Sequence, residues 1–285
     1  MLSSRHAMRI AERYPALRRA RVEQLRLARR FLDVRAHTRF ATTQTDERSP
    51  LTVVRHASLL RRRLGQTDPR LQEAKVHNLR LAVEAFDGLL IRPGETLSFW
   101  ERVGAPAARR GFRDGLVLSG GRIRTGTGGG LCQLSNLLYW MALHAPLEIT
   151  EHHHHSFDPF PDDRRVLPFG SGAGVFYNYV DLRLRNPTDV VLQLVVAVTE
   201  EHLRGQLLAE ERGSLAFHIE EREHRFVSDG DGRVFRQNEL WRRTIDRRTG
   251  EIVSLELITR NHAEVGYKVD PALVEGDVAG PDGAC

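Results

Sequence analysis

The sequence contains very little cysteine, methionine or lysine. Its 285 residues include 2 Cys and 3 Met, and Lys75 and Lys268 are its lysines. One cysteine is the last residue of the chain, so the multi-disulfide framework of a small secreted protein is excluded. The sequence also lacks a run of about 18 apolar residues, which a membrane-spanning helix needs, and the apolar core of a secretory signal. We therefore expect a reduced, cytoplasmic protein.

Positive charge is concentrated near the N-terminus. Residues 1–70 contain 17 Arg and 6 Asp or Glu, a net charge of +11, whereas the whole chain carries +5. A basic arm can bind nucleic acid or anionic lipid. The aromatic residues that single-strand binders place between basic ones are lacking, so we expect no nucleic-acid partner. The simplest interpretation is a preference for arginine, and the alternative is peripheral contact with an anionic membrane at its inner face.

The pattern of apolar residues predicts an α+β protein. Residues 1–66 are expected to form an Arg-rich helical N-terminal region. An α+β domain is expected at 67–268. Its mixed central part, 89–186, contains a Gly-rich loop that leads into a Cys-bearing helix, and its part at 189–268 is an antiparallel sheet. Residues 269–285 are rich in Gly, Pro and Asp and are predicted to be a disordered tail.

The most informative segment is TGGGLCQLSN at 127–136, followed by HHHHSFD at 152–158. Glycines permit positive φ and a close approach of the backbone to a substrate. Cys132 opens the predicted helix, where the positive end of the helix dipole favours a thiolate. A downstream histidine can serve as the base. The pattern therefore indicates a nucleophilic thiol, although a small, buried cysteine is the simpler structural interpretation.

Several motifs together resemble the VanW family. They are RPGETLSFW at 92–100, VG at 103–104, RGF at 110–112, GGGLCQ at 128–133 and YNYVD at 177–181. The resemblance extends over roughly residues 50–267 and includes several motifs in order. VanW-family proteins are encoded beside the vancomycin-resistance genes of B-type clusters and occur in many other bacteria. The resemblance implies a link to the cell envelope and to glycopeptide resistance, with peptidoglycan or its precursors as the partner.

The first hypothesis is a cysteine-dependent hydrolase or acyltransferase that acts on peptidoglycan stem peptides or their precursors. The thiol would attack a carbonyl carbon, a histidine would accept the thiol proton, and a carboxylate or amide would orient the histidine. The backbone N–H groups at the helix start would stabilise the oxyanion. The predicted catalytic residues are Cys132, His155, His153, Asp158 and Gln133. The predicted substrate-binding residues are Gly128, Gly129, Gly130, Asn178, Asp181 and Glu95.

Four adjacent histidines also suggest a metal site. Alternate residues of a strand share a face, so His153 and His155 can bind zinc together with Cys132 or Asp158. The sequence contains no HExxH or CxxC spacing to support this site, and we therefore predict no cofactor.

Two further functions remain open. Glu95 and Asp181 can form an acid–base pair that cleaves the glycan strand. Alternatively, the aromatic and polar residues around 157–161 and 176–179 can line a non-catalytic groove for a peptidoglycan precursor or a partner protein. A binding module tolerates Cys132→Ser, whereas a thiol enzyme loses its activity. The oligomeric state is not predicted by any of these features.

Overall fold

The computed structural model describes residues 15–61, 68–119, 122–154, 157–158, 161–162, 167–177, 180–229 and 231–275. The helices are α1 (Pro15–Arg35), α2 (Pro69–Val83), α3 (Phe99–Val103) and α4 (Cys132–Leu143). The strands of the first half are β1 (Leu51–Leu59), β2 (Leu89–Ile91), β3 (Thr96–Ser98), β4 (Asp114–Ser119), β5 (Arg122–Thr127), β6 (Glu148–Glu151) and β7 (Phe157–Asp158). The strands of the second half are β8 (Arg183–Arg185), β9 (Leu192–Val198), β10 (His202–Ala209), β11 (Leu215–Ser228), β12 (Val234–Asp246), β13 (Ile252–Val265) and β14 (Val274–Glu275).

The hydrophobic core lies between two helices and a four-stranded antiparallel sheet. The strand order of this sheet is β1-β10-β9-β2, and α2 and α4 pack against it. Leu79 of α2, Leu137 of α4 and Leu203 of β10 are fully buried in this core. Helix α2 begins as its sequence predicts, because the Asp68 side chain accepts a hydrogen bond from Arg70 N at 2.8 Å and a proline follows it.

A second sheet contains the three longest strands of the described chain. Its order is β14-β11-β12-β13-β7, in which β11, β12 and β13 are antiparallel and the two edge strands are parallel to their neighbours. The turns between the long strands fall at 229–232 and 247–250, as the glycines there predict. The predicted α+β class, with an antiparallel sheet towards the C-terminus, is confirmed.

Two smaller sheets complete the fold and position the candidate site. Strand β8 is the centre of a three-stranded antiparallel sheet of order β3-β8-β6. Strands β4 and β5 form a separate hairpin, which ends at the glycine turn before α4. Helix α1 contacts the β8 sheet through an ion pair between Asp33 and Arg183. No helix within the described residues is both long and apolar enough to span a membrane.

Two sequence predictions need correction. The N-terminal region is not helical throughout, because β1 lies within residues 1–66 and pairs with β10. Its residues LTVVRHASL include β-branched side chains that fit a partly buried sheet position. The predicted disorder from residue 269 is also wrong in part, because Pro271–Leu273 forms a 3-10 turn and β14 pairs with β11. Residues 276–285 of that predicted tail lie outside the described residues.

Candidate functional site

Cys132 is the first residue of α4, as predicted, but its thiol is turned into the protein. Its Sγ lies 3.9 Å from the carbonyl oxygen of Val175, to which the thiol donates a weak hydrogen bond. Burial raises the pKa of the Cys132 thiol, while hydrogen bonding opposes that rise. A helix start alone predicts the opposite, a lowered pKa, and loss of hydration is the largest contribution to the raised thiol pKa here. The thiol is therefore held in its neutral form near pH 7.

Three donors near the start of α4, namely the Gln133 and Leu134 N–H groups and the Gln133 side-chain amide, are bonded within the protein. Gln133 N donates to Gly130 O at 3.1 Å, and Leu134 N donates to Leu131 O at 3.0 Å. The Gln133 side-chain amide donates to Ser58 Oγ at 2.9 Å and to a β1 carbonyl at 2.8 Å. These donors join α4 to its own preceding turn and to strand β1. They would have to break these bonds before they could stabilise an oxyanion.

The glycines before Cys132 allow close packing of backbone on backbone. Gly128 and Gly130 have φ of +79° and +92°, which side chains disfavour. A Cβ on Gly129 would lie 2.1 Å from the carbonyl carbon of Gly115, so no side chain fits there. The Asn78 side chain also donates to Gly129 O at 3.0 Å. All three predicted substrate-binding glycines therefore lie in a turn that packs against the β4–β5 hairpin and α2.

A segment at residues 171–176 runs between the start of α4 and the histidine run. Ser135 Oγ of α4 donates to Ala173 O at 2.7 Å. On the other side, the backbone N–H of Gly174 donates to His153 O at 2.6 Å. Cys132 is thus bonded to Val175 of this segment, and His153 is bonded to Gly174. The two residues lie on opposite sides of the segment. His155 lies outside the described residues.

The described histidines of the run have different surroundings. His152 stacks on Tyr139 with ring centroids 4.0 Å apart, and its Nε2 lies 2.8 Å from Gly172 O. The next residue, His153, places its Nε2 2.9 Å from Glu151 Oε1, and its side chain is 43% exposed. His153 is therefore paired with a carboxylate that the sequence analysis did not single out. Within the described residues, no group of three or more His, Cys, Asp or Glu side chains is arranged to hold a metal ion.

Asp158 is buried at the edge of the long sheet. Its carboxylate accepts a hydrogen bond from Tyr267 Oη at 3.1 Å and lies 3.4 Å from Arg236 Nη1. Arg236 also forms two hydrogen bonds to Asp162, at 2.7 and 3.0 Å. Burial and the neighbouring carboxylate raise the pKa of Tyr267 to about 12. Asp158 thus belongs to an ion-pair network on β12, and His153, one of the candidate bases, is paired with Glu151 instead.

Asp181 is buried beside strand β3 and accepts four hydrogen bonds. Ser98 Oγ and Arg183 Nε donate to its Oδ2 at 2.5 and 3.1 Å. Backbone N–H groups of Trp100 and Leu182 donate to its Oδ1 at 3.1 and 2.9 Å. Burial raises the pKa of Asp181, and the hydrogen bond from Ser98 opposes that rise. This carboxylate fixes the chain before β8 against the start of α3.

The Arg183 cluster consists of Arg183 and three carboxylates, those of Asp33, Glu151 and Asp181. The guanidinium forms two hydrogen bonds to Asp33 of α1 and lies 3.1 Å from Asp181 and 3.4 Å from Glu151. Glu151 also accepts from Arg29 of α1, at 2.8 Å. This cluster connects α1, β6 and β8. The sequence analysis included only Asp181 among its members.

Two half-buried aromatic side chains lie beside the Arg183 cluster. Trp100 and Tyr177 pack edge to face with centroids 5.4 Å apart, and Trp100 Nε1 donates to Val180 O at 2.9 Å. The guanidinium of Arg26 lies over the Tyr177 ring at 4.4 Å. We use the name His153 ledge for two residue pairs that border the Arg183 cluster: His153 with Glu151, and Trp100 with Tyr177.

The remaining predicted residues are Glu95 and Asn178. Glu95 is buried, and its carboxylate accepts a hydrogen bond from Arg92 N at 3.0 Å, which closes its own turn. Asn178 lies outside the described residues.

A surface cleft of about 610 Å³ lies elsewhere, between α2 and β9. Its described lining residues, which include Asp46, Glu84 and Asp87, contain none of the predicted site residues.

Comparison with known proteins gives a match to one family model and to two similar proteins. The sequence model of a family described as "VanW like protein" matches residues 74–208, which include the glycine turn, α4 and the centre of the Arg183 cluster. The chain is 34% identical over 202 residues to the vancomycin B-type resistance protein VanW of Enterococcus faecalis, which is 71% of this chain and 73% of that protein. It is 30% identical over 117 residues to the uncharacterized protein YoaR of Bacillus subtilis, which is 40% of this chain and 36% of that protein. No solved structure gives a significant match.

Proposed function

This chain belongs to the VanW family, and from that membership we propose that it acts in resistance to vancomycin-type glycopeptides as a non-catalytic module that binds peptidoglycan precursors. The name of the Enterococcus faecalis relative, a vancomycin B-type resistance protein, supports the context. A non-catalytic role is supported by the surroundings of Cys132 and Gln133, the residues that a thiol mechanism would use.

This proposal rests mainly on the raised pKa of the Cys132 thiol and on the hydrogen bonds of Cys132 and Gln133. The thiol pKa is raised, the thiol donates to Val175 O, and the Gln133 amide is bonded to β1. A thiol nucleophile requires a stabilised thiolate and free donors for the oxyanion. A hydrolase or acyltransferase would therefore need a rearrangement of segment 171–176 before Cys132 could react. A structural role for the cysteine needs no such rearrangement.

The His153 ledge is the surface that we propose for the ligand. It combines two aromatic rings with an imidazole and a carboxylate, and its histidine side chain is 43% exposed. Aromatic rings can pack against the apolar face of a sugar, and the exposed His153 imidazole, whose Nε2 contacts Glu151, can hydrogen-bond to peptide groups through its Nδ1. Because its carboxylate, Glu151, is paired with Arg29 and Arg183, the ledge can accept a zwitterionic stem peptide without a large excess of charge of one sign.

Titration calorimetry with a soluble muramyl pentapeptide tests this proposal. We expect saturable binding by the unmodified chain and by Cys132→Ser, because a serine hydroxyl can also donate to Val175 O. His153→Ala should weaken binding about tenfold, which corresponds to about 1.4 kcal/mol. His262→Ala, which removes an exposed histidine of β13 away from the ledge, is the matched control and should leave affinity unchanged.

Mass spectrometry of the same mixtures separates binding from catalysis. The proposal predicts that the pentapeptide is recovered intact after long incubation. Cleavage or acyl transfer that disappears in Cys132→Ser would establish the thiol enzyme instead. Lack of saturable binding by the unmodified chain would also refute the proposal.

A further inference from the structure

Helix α1 has its polar side turned towards the protein. Arg26 Nη2 donates to Tyr177 Oη at 2.5 Å, Arg29 forms an ion pair with Glu151 at 2.8 Å, and Asp33 pairs with Arg183. Residues three and four apart share a helix face, so these three side chains form one inward stripe. The charged groups on this face, with the half-buried Val22 and Leu25 beside them, attach the helix to the body, whereas the apolar stripe of a surface helix normally faces the core.

The apolar side of α1 faces solvent. Leu27 and Phe31 are each 66% exposed, and Val34 is 76% exposed. These residues are spaced i, i+4 and i+7 and therefore form one stripe opposite the ion pairs. Leu32, which lies 100° further round the helix than Phe31, is 62% exposed. A stripe of large exposed apolar side chains on one helix face indicates a surface that another apolar medium covers.

The charges around the apolar stripe determine what can cover it. Helix α1 contains seven Arg and two acidic residues, Glu23 and Asp33, of which the second is already paired with Arg183. At 100° per residue, the exposed side chains of Arg30 and Arg35 lie on either side of the stripe. Docking of a second copy through this face would bring arginines against arginines. An anionic lipid surface offers both the opposite charge and an apolar layer for the stripe.

We propose that α1 is an interfacial helix that docks the protein on an anionic membrane surface. The apolar stripe of Leu27, Phe31 and Val34 enters the boundary between headgroups and acyl chains, and the flanking arginines contact lipid phosphates. With 21 residues, the helix is about 31 Å long and can lie flat along the surface. The opposite face of the helix keeps its ion pairs, so docking needs no unfolding. This inference goes beyond the proposed ligand-binding function and does not depend on it.

Flotation with lipid vesicles tests the inference. Vesicles of phosphatidylglycerol with phosphatidylcholine supply the anionic surface, and pure phosphatidylcholine vesicles supply the neutral one. We expect the full chain to float with the anionic vesicles, and the bound fraction to fall in high salt, because exposed charges are screened. Leu27→Ser combined with Phe31→Ser should lower the partition coefficient about tenfold or more, because both apolar anchors are lost.

Two matched controls make the result specific to α1. Val253→Ser combined with Leu255→Ser removes exposed apolar side chains from β13 and should change partitioning less than about twofold. Circular dichroism should show equal helix content in all variants, because the substituted side chains are exposed. Absence of flotation by the unmodified chain, or equal flotation with both vesicle types, would overturn the inference. A dimer in sedimentation that Leu27→Ser and Phe31→Ser dissociate, without a change in flotation, would assign the face to a second copy.

Discussion

Backbone contact explains the glycine at residue 129. Its Cα lies against the Gly115 backbone in the neighbouring hairpin, and its carbonyl accepts a hydrogen bond from Asn78. Asn78 also donates to Arg113 O and accepts from Arg113 N, at 2.9 and 2.8 Å. One buried asparagine thus joins α2 to two loops, and the glycine is needed for that approach. A packing role of this kind differs from the close approach to a substrate that the sequence suggests.

Gly129→Ala should therefore destabilise the fold strongly. Its Cβ would lie 2.1 Å from Gly115 C, so the turn before α4 would have to move. We expect the free energy of unfolding to fall by about 3 kcal/mol, as for an overpacked core. Denaturant unfolding followed by fluorescence measures this change.

Gly213→Ala is the control for that measurement, because a Cβ there has no heavy atom within 4 Å. Its effect should stay below about 1 kcal/mol. Equal effects of the two substitutions would show that the Gly115 contact does not constrain the turn.

Among single residues, sequence reasoning placed Cys132 at a helix start. It did not predict which way the thiol points. The helix start follows from local signals, namely the preceding glycines and the apolar spacing of α4. The thiol environment depends on Val175, which is 43 residues away in the chain and has no local signature. Glu151 and Arg183 were missed for the same reason. Arg183 alternates along the chain with the buried Leu182 and Leu184, yet it contacts carboxylates of two other elements, α1 and β6.

Between elements, the contact of α1 with the β8 sheet depends on ionic groups. Arg183 is 11% exposed and Asp33 is 14% exposed, so the pair is shielded from solvent on both sides. Burial lowers the pKa of Arg183, but its hydrogen bonds and carboxylate neighbours outweigh that effect and raise it. Removal of one partner leaves the other charge uncompensated, which is the costly case for a buried pair.

Asp33→Asn should loosen α1 while the sheets stay folded. Loss of a charge-assisted hydrogen bond costs about 2 kcal/mol, which corresponds to about a 30-fold larger population of the undocked helix. Trypsin cleaves after arginine, and α1 contains seven. We expect cleavage within α1 to accelerate by a similar factor, as measured by mass spectrometry over time.

Glu23→Gln provides the comparison on the same helix. Glu23 pairs only locally with Arg26 in an exposed position, at 2.8 Å, and such pairs contribute little. Its cleavage rate should match that of the unmodified chain. Equal acceleration in both variants would mean that the Asp33–Arg183 pair does not hold α1.

Elements with local signals were the ones that sequence reasoning predicted correctly. The cap at Asp68 and the glycine turns of the long sheet depend on neighbouring residues. Strand β1 was missed because it follows an Arg-rich helix and its identity depends on pairing with β10, about 150 residues later. Strand β14 was missed because a Gly/Pro-rich composition obscured its short pairing with β11.

Across the whole molecule, buried polar groups connect the sheets to the loops. Asn238 of β12 donates to Phe169 O at 2.8 Å and accepts from Asn261 of β13 at the same distance. Arg236 holds Asp158 and Asp162 on the same side of the long sheet. The long sheet therefore holds Asp158 and Asp162, which follow the histidine run in the chain. The predicted site residues that the structure describes lie in the thiol region, around the Arg183 cluster, in this network and, for Glu95, in the turn with Arg92.

The alkylation rate of Cys132 as a function of pH tests most directly whether this cysteine is structural. The measurement uses intact mass spectrometry in a Cys285→Ser background, so that one thiol is followed. Because burial raises the thiol pKa, the thiolate should be scarce at pH 7, and the reaction should rise only above the free-cysteine value of about 8.5. Slow alkylation with a midpoint above that value is the result we predict. Rapid alkylation that persists well below pH 7 would show a stabilised thiolate, and the thiol mechanism would then replace the binding function.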